Sequence, residues 1–436
     1  MRYRSTRGKS PLVDWSAALQ QGLAPDGGLY VPAEIPAVDF GMTSPLARVD
    51  AALSATRPFV AEMPESDLVS LLTDALDFEI PLVPLEEGIF LLELFHGPTF
   101  AFKDVGARCL ARWLAWTHAS GDPLTVLVAT SGDTGSAVAR AFHRVPGIRV
   151  VILYPAGQVT PLQEKQFATI GGNVHTLAVS GTFDDCQRLV KAAFAHEGLR
   201  ASRRLTSANS INVGRYLPQA FYYPYAASRL PSFDGRAVFS TPSGNFGNLC
   251  AGLLAKRMGM PGARFVAATN ANDVVPEFLD TGRFRPRASL RTISNAMDVG
   301  NPSNFERIVD LYEGDLVAMR ADVRGSRHTD DETRDAIRNV WEGTGRVLDP
   351  HTAVGLLGAR QARRRADDPA IVLATAHPAK FREVIEPVLG IRVPLPEGLR
   401  ACLDAPTRAI AIPDDFDALR RWLEGGAMEE REAEGR

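Results

Sequence analysis

The sequence predicts an α/β protein built on parallel sheets, and two observations carry that prediction. From residue 91 onward, short apolar runs rich in Val, Leu and Ile alternate with segments of helical period. The joints between them are turns rich in glycine and hydroxyls, set after a strand and before a helix, as at 130–135 and 240–248. Strands that are apolar throughout belong to sheets buried on both faces, and the intervening helices supply the cover.

Taken in order, residues 1–90 read as a mixed N-terminal unit. Pro25-Asp26-Gly27-Gly28 is a turn signal leading into the apolar Leu29-Tyr30-Val31-Pro32. Over 65–78, Leu68, Val69, Leu71, Leu72 and Leu76 fall largely on one helical face. A helical run is expected at 105–116, a buried strand at 123–129, a loop at 131–135 and a helix at 137–142. A second strand at 148–154 precedes Thr160-Pro161-Leu162-Gln163, a capping box with Pro at the first helical position. A third, at 174–179, leads to a helix opened by Thr182 and carrying Cys186, Leu189, Val190 and Phe194. Further strands are expected at 237–239, 265–268 and 371–374. The Glu- and Ala-rich tail at 425–436 lacks apolar periodicity and reads as frayed or solvated. The expected division is an N-terminal unit (1–90), a large sheet domain (91–103 and 232–400), a smaller one (104–231), and a C-terminal helix and tail (401–436).

Composition narrows the function classes. The 436 residues are 45% hydrophobic and 23% charged with a net charge of −3, so nothing suggests a nucleic-acid or membrane partner. The basic opening of Arg2, Arg4, Arg7 and Lys9 lacks the apolar segment of a secretory signal, and no apolar run approaches the ~20 residues of a membrane span. Cys109, Cys186, Cys250 and Cys402 form no CxxC pair, so reduced thiols in a cytoplasmic protein are expected. Without HExxH or a close His pair, no metal is expected. Monomer and dimer both remain open, with monomer favoured.

Five stretches carry chemistry. Lys103 stands among apolar and aromatic residues in Leu94-Phe95-His96-Gly97-Pro98-Thr99-Phe100-Ala101-Phe102-Lys103-Asp104, just before a helix. Desolvation and a helix N-terminus both disfavour its ammonium form, which suits a nucleophilic amine; alone, such a lysine is usually a snorkelling surface residue. Ser243-Gly244-Asn245-Phe246-Gly247-Asn248 follows a strand and opens a helix, a geometry that gathers backbone N–H groups around a phosphate, or is plain turn chemistry. Thr130-Ser131-Gly132-Asp133-Thr134-Gly135 is a second anion cradle or a polar cap. Asn209-Ser210-Ile211-Asn212-Val213-Gly214-Arg215 suits a phosphate dianion, or is a capped helix with a surface arginine. The strand ending in Thr375 and His377 completes the set.

In this order the five stretches resemble the threonine synthases of bacterial and fungal type, which are fold-type II pyridoxal-phosphate (PLP) enzymes related to the tryptophan synthase β-subunit. Tyr3-Arg4-Ser5-Thr6-Arg7-Gly8 and Ala24-Pro25-Asp26-Gly27-Gly28-Leu29-Tyr30 are similar to further signatures of that family. The resemblance, which spans about residues 3–389, implies conversion of O-phospho-L-homoserine and water to L-threonine and phosphate by γ-elimination and β-addition. It implies Lys103 as the Schiff-base lysine and proton shuttle, with the large domain holding the cofactor and the smaller one facing substrate. Gly244, Asn245, Phe246, Gly247 and Asn248 would hold the cofactor phosphate, and Thr375 would face the ring nitrogen. Thr130, Ser131 and Thr134 would surround the substrate carboxylate and phosphate; Asn209, Ser210 and Arg215 would take the leaving phosphate. Asp133 stands where many fold-type II relatives place an Asn against the cofactor's phenolic oxygen. A carboxylate there is repelled unless one partner is protonated or Asp133 turns away. The nearest alternative is another fold-type II lyase, such as a threonine or serine dehydratase or a phospho-amino-acid lyase. A nucleotide-binding module is disfavoured: Gly8-Lys9-Ser10 ends like a P-loop, but Tyr3 takes the place of its first glycine.

Overall fold

The computed structural model describes residues 1–433 except 119–122, 232, 234–235 and 364–368. The N-terminal unit opens on a small antiparallel sheet of β1 (Arg2–Ser5), β2 (Val13–Asp14) and β3 (Tyr30–Pro32), in the order β2-β1-β3. The basic opening is thus a strand, with Tyr3 and Ser5 turned inward and Arg4 paired with Asp310 at 2.6 Å. A hairpin of β4 (Leu82–Glu86) and β5 (Ile89–Glu93) follows the helix Glu65–Ala75.

β6 (Leu124–Ala129), β7 (Ile148–Pro155), β8 (Val174–Ser180) and β9 (Leu205–Ser207) belong to a five-stranded sheet. β10 (Ala237–Pro242), β11 (Ala263–Thr269), β12 (Val323–Arg327) and β13 (Ala370–Ala374) belong to a six-stranded one. β14 (Ile410–Pro413) returns to the smaller sheet and pairs with β8, giving the order β14-β8-β7-β6-β9, parallel throughout. The larger sheet runs β12-β11-β10-β13-β5-β4, parallel except for β4 against β5. Every residue of β6, β10 and β13 is buried, as their unbroken apolar or small-residue runs require of strands covered on both faces.

Both sheets reverse their strand order beside the strands that matter. β6 has β7 on one side and β9 on the other; β10 has β11 on one side and β13 on the other. Loops leaving such neighbours diverge and open a crevice at the carboxyl ends of the strands. The turns at 130–132 and 243–246 leave from those ends.

Three expectations need correction. The division at 90/91 falls inside β5, because the hairpin at 82–93 hydrogen-bonds into the larger sheet through β13. Residue 133 is already helical, so the 131–135 loop is shorter than expected: Asp133 and Lys103 each open a helix, Asp133–Phe142 and Lys103–Thr117. Of the two readings of the tail, frayed or solvated, fraying does not hold as far as residue 433, which is helical. A helix spans Phe416–Ala433, and its Leu419 and Leu423 pack with Ile412 against the smaller sheet; 434–436 lie outside the described residues.

Buried Arg307 joins three parts of the chain. It donates to Tyr30 O of β3, to Ser210 O at 2.8 Å and to Ile211 O at 2.5 Å, from the helix Phe305–Leu311 beside the larger sheet. A guanidinium with its donors on backbone carbonyls fixes their spacing, which anchors the 209–215 segment. Among the described residues, no helix is long and apolar enough to cross a membrane, and no cluster of His, Cys, Asp and Glu could hold a metal.

Candidate active site

Lys103 reaches its position through backbone pairing between distant segments. Phe102 N donates to Thr375 O at 2.9 Å and His377 N to Phe100 O at 3.0 Å, with Ala101 bridging Ala376. The lysine loop is therefore zipped to the end of β13, which sets Thr375 beside it. Phe100 has φ 58°, a left-handed conformation unfavourable for a bulky side chain, so the turn before Lys103 is held there by its surroundings. Asp104, wholly buried, accepts from Thr99 N at 2.9 Å and Thr99 Oγ1 at 2.7 Å and closes the same turn. Burial raises its carboxyl to about 6.

Every residue assigned a site role from sequence lines one cavity between the two large sheets, from Lys103 through the 130–134 and 209–215 segments to the 244–248 turn and Thr375. Lys103 Nζ lies 3.8 Å from Asp133 Oδ2 and 4.9 Å from the Phe102 ring centroid. Burial lowers its ammonium to about 8, against the opposing pull of Asp133 and with further lowering from Lys380. A lysine in this state has free amine available near neutral pH.

The 244–248 turn is built to offer backbone. Asn245 accepts Ser303 N at 3.3 Å through Oδ1 and Asn304 N at 3.2 Å through its carbonyl. Asn248 Nδ2 donates to Pro242 O at 3.2 Å. With these side chains occupied in anchoring, the N–H groups of Gly247 and Asn248 in the first helical turn are left for a ligand, since a helix offers them no acceptor of its own. Phe246 caps that helix at φ 60°. Gly244 is demanded by close approach, because a Cβ there would lie 2.6 Å from Ala296 O and 2.9 Å from Met297 Cα.

The other residues divide by how far their polar groups are already engaged. Thr130 Oγ1 accepts from Gly132 N at 3.0 Å and Gly135 N at 2.7 Å, so it shapes its turn. Asn209 exchanges both amide atoms with the Ala129 peptide, at 3.2 and 2.7 Å, and extends the β6–β9 pairing by one step. Ser210 Oγ accepts from Asn304 Nδ2 at 2.9 Å. Ser131 and Thr134 face the cavity at the N-terminus of the helix Asp133–Phe142. Arg215, expected on the alternative reading to lie on the surface, is buried. It donates through Nη1 to Ala208 O, leaves Nε without a partner, and pairs with no carboxylate among the described residues. Burial lowers its guanidinium to about 10. A desolvated guanidinium without a counter-ion is an anion site.

Two residues of this region were not singled out from sequence. His351 lines the cavity, with Nδ1 2.8 Å from Asp349 Oδ1 and Nε2 accepting Ala296 N at 3.2 Å, so it braces the segment packed on Gly244. Lys380 Nζ lies 2.6 Å from Asp133 Oδ1. The available signal for His351 was Asp349-Pro350, an N-cap followed by Pro at the first helical position; for Lys380 it was the turn after Thr375.

A reactive lysine facing a glycine turn that presents helix-terminal N–H groups, within a fold-type II pair of sheets, defines a pyridoxal-phosphate-dependent enzyme. The family model "Pyridoxal-phosphate dependent enzyme" matches residues 77–376, "Threonine synthase N terminus" matches 2–76 and "Threonine synthase, C-terminal" matches 352–423. The chain is 42% identical to a threonine synthase of Escherichia coli over 97% of its length and 99% of the relative's. A crystal structure of threonine synthase from Escherichia coli superposes with a TM-score of 0.92 at 40% identity, covering 98% of this chain and 100% of that one. A PLP-bound threonine synthase from Brucella melitensis gives 0.90 at 36%, covering 97% and 98%. The chain belongs to the threonine synthase family.

Proposed function

We propose that this chain converts O-phospho-L-homoserine and water to L-threonine and phosphate, with Lys103 carrying the cofactor and moving the protons. One observation supports this substrate above others: Arg215 is a buried guanidinium without a carboxylate partner among the described residues, lining the same cavity as Lys103 from a different segment than the 244–248 turn. A dehydratase acting on free threonine or serine needs one anion site for the cofactor and one for the substrate carboxylate. A phosphorylated substrate needs a third, and Arg215 supplies it.

When bound, pyridoxal phosphate supplies a conjugated ring that accepts the electron pair of a C–H bond broken beside the substrate nitrogen. The N–H groups of the 244–248 turn would hold its phosphate, and Thr375, a neutral hydroxyl, would face its ring nitrogen. A neutral partner there stabilises a ring cation poorly and moderates the electron sink. Lys103 Nζ, once freed, is the group placed to take a proton from the substrate α-carbon and return it further along the chain, because one positioned amine reaches successive carbons. Ser131, Thr134 and the helix N-terminus at 133 would orient the carboxylate, with Thr130 holding their turn. Ser210 and Arg215 would receive the phosphate. Asn209, its amide engaged with Ala129, positions this segment and has one N–H left for the anion.

The test is the product balance. Purified protein given O-phospho-L-homoserine should release phosphate and L-threonine in equal amounts. Phosphate accompanied by a 2-oxo acid and ammonia would assign the chain to a lyase of the other kind.

A further inference from the structure

Asp133 sits between two ammonium groups in unequal positions. Lys380 has no exposed surface; its Nζ lies 2.6 Å from Asp133 Oδ1 and donates to Thr99 O at 3.0 Å. Gln163, whose side chain also closes the capping box of the helix Pro161–Ala168, adds Nε2 to Asp133 Oδ1 at 2.9 Å. Lys103 approaches the other oxygen only to 3.8 Å, outside hydrogen-bonding distance, and its side chain retains 17% exposure toward the cavity. The carboxylate is thus shared in name and committed in geometry: its charge and its best contacts belong to Lys380.

We propose that Lys380 is a positioning residue, a counter-cation that satisfies Asp133 and thereby leaves Lys103 free to exist as a neutral amine. Losing a proton from Lys103 then leaves a compensated Lys380–Asp133 pair behind it. Without Lys380, the buried carboxylate has Lys103 as its one adjacent cation, and a buried charge stripped of its partner is strongly disfavoured. Lys103 would be pinned as an ammonium. The pair also answers the problem posed by a carboxylate where relatives place an amide: Asp133 is neutralised by a neighbour and brings no net charge to the cofactor's phenolic oxygen. The other charged or titratable groups near the two lysines are Asp104, Asp349, His377, Cys402 and Arg215. None of their side chains hydrogen-bonds either ammonium group, so Asp133 remains the group over which the two compete. Burial and the ammonium of Lys380 both act to lower the Lys103 ionisation, and Lys380 and Lys103 hold Asp133 well below the usual carboxylate range despite the upward push of burial.

The inference rests on Lys103 being the cofactor-bearing lysine, and it is tested on Lys103 itself. Competitive acetylation of the full-length chain stripped of cofactor, read by peptide mass spectrometry across pH, gives the ionisation midpoint of Lys103 without any turnover. In Lys380→Gln, which keeps a donor, and Lys380→Met, which does not, the midpoint should rise by about one pH unit or more, leaving about tenfold less free amine at neutral pH. Lys380→Arg, which keeps the charge, should stay with wild type. On the holoenzyme, the acid limb of the kcat/KM profile should move in the same direction. A midpoint unmoved or lowered in the neutral variants overturns the proposal. So does failure of both neutral variants to fold, which would give Lys380 a purely structural role. Failure of the Lys103 assignment looks different: Lys103→Ala would then keep cofactor and turnover.

Discussion

Replacing Gly244 by Ala puts the phosphate turn under a defined load. The added Cβ would lie 2.6 Å from Ala296 O, 2.9 Å from Met297 Cα and 3.2 Å from Val299 Cγ2. Two of these are backbone atoms, so no side-chain rotation relieves the clash. Their segment is also braced, by Ala296 N on His351 Nε2 at 3.2 Å and Met297 N on Ser294 O at 2.9 Å. A carbon needs about 3.5 Å from a non-bonded neighbour, so the turn or the segment must shift by several tenths of an ångström. Overpacking of this kind costs about 1–3 kcal/mol. If the yielding part is the turn, the N–H groups of Gly247 and Asn248 lose their aim and the cost falls on cofactor binding, as a Kd for pyridoxal phosphate raised about 5- to 150-fold. Titrating cofactor-free protein with pyridoxal phosphate by visible absorbance measures it, with Gly343→Ala, where a Cβ meets open space, as the control. An unchanged cofactor Kd in Gly244→Ala, with the loss appearing only in the melting of the cofactor-free chain, would refute the assignment of the turn.

Three further outcomes follow from the same geometry. Because burial lowers the Lys103 ammonium to about 8, the rate at which cofactor-free protein captures pyridoxal phosphate should rise with pH, about tenfold per unit, and level off above about 8; stopped-flow absorbance with a midpoint near that of an ordinary lysine would contradict it. Arg215→Ala should raise the KM for O-phospho-L-homoserine by about 10- to 150-fold, the worth of about 1.5–3 kcal/mol for a hydrogen bond to a charged group, while a non-phosphorylated analogue binds with little change. Thr130→Ala should lower stability by about 1–3 kcal/mol, because it strands the buried N–H groups of Gly132 and Gly135, whereas Ser131→Ala should leave the melting temperature in place and raise KM.

The fold was legible wherever one physical signal dominated. β6, β7, β8, β10 and β13 announced themselves because strands largely buried on both faces are dominated by apolar residues, and the capping box at Thr160 and Gln163 was readable because its donors and acceptors are local. β1, β9, β12 and β14 were not: they are three to five residues long, the first three carry arginine, threonine or serine, and all become strands through the partners they meet. A C-terminal helix was expected, but its packing was not legible, since Leu419 and Leu423 acquire their meaning from Ile412 of β14 beneath them. The cavity residues were legible because turns between strand and helix collect at one end of a sheet. Their division of labour was not. That Thr130 and Asn209 are engaged with backbone, and that Lys380 lies against Asp133 across 247 positions of sequence, are facts of tertiary contact that neither spacing nor residue type encodes.

Lys103 and Lys380 lie on either side of the same carboxylate, which makes the location of the cofactor a direct choice between two amines. Borohydride reduction of the cofactor-loaded protein fixes pyridoxal phosphate to the nitrogen that carries it, and peptide mass spectrometry then finds the residue. The added mass should reside wholly at position 103. Label at position 380, or spread over surface lysines, would contradict the account.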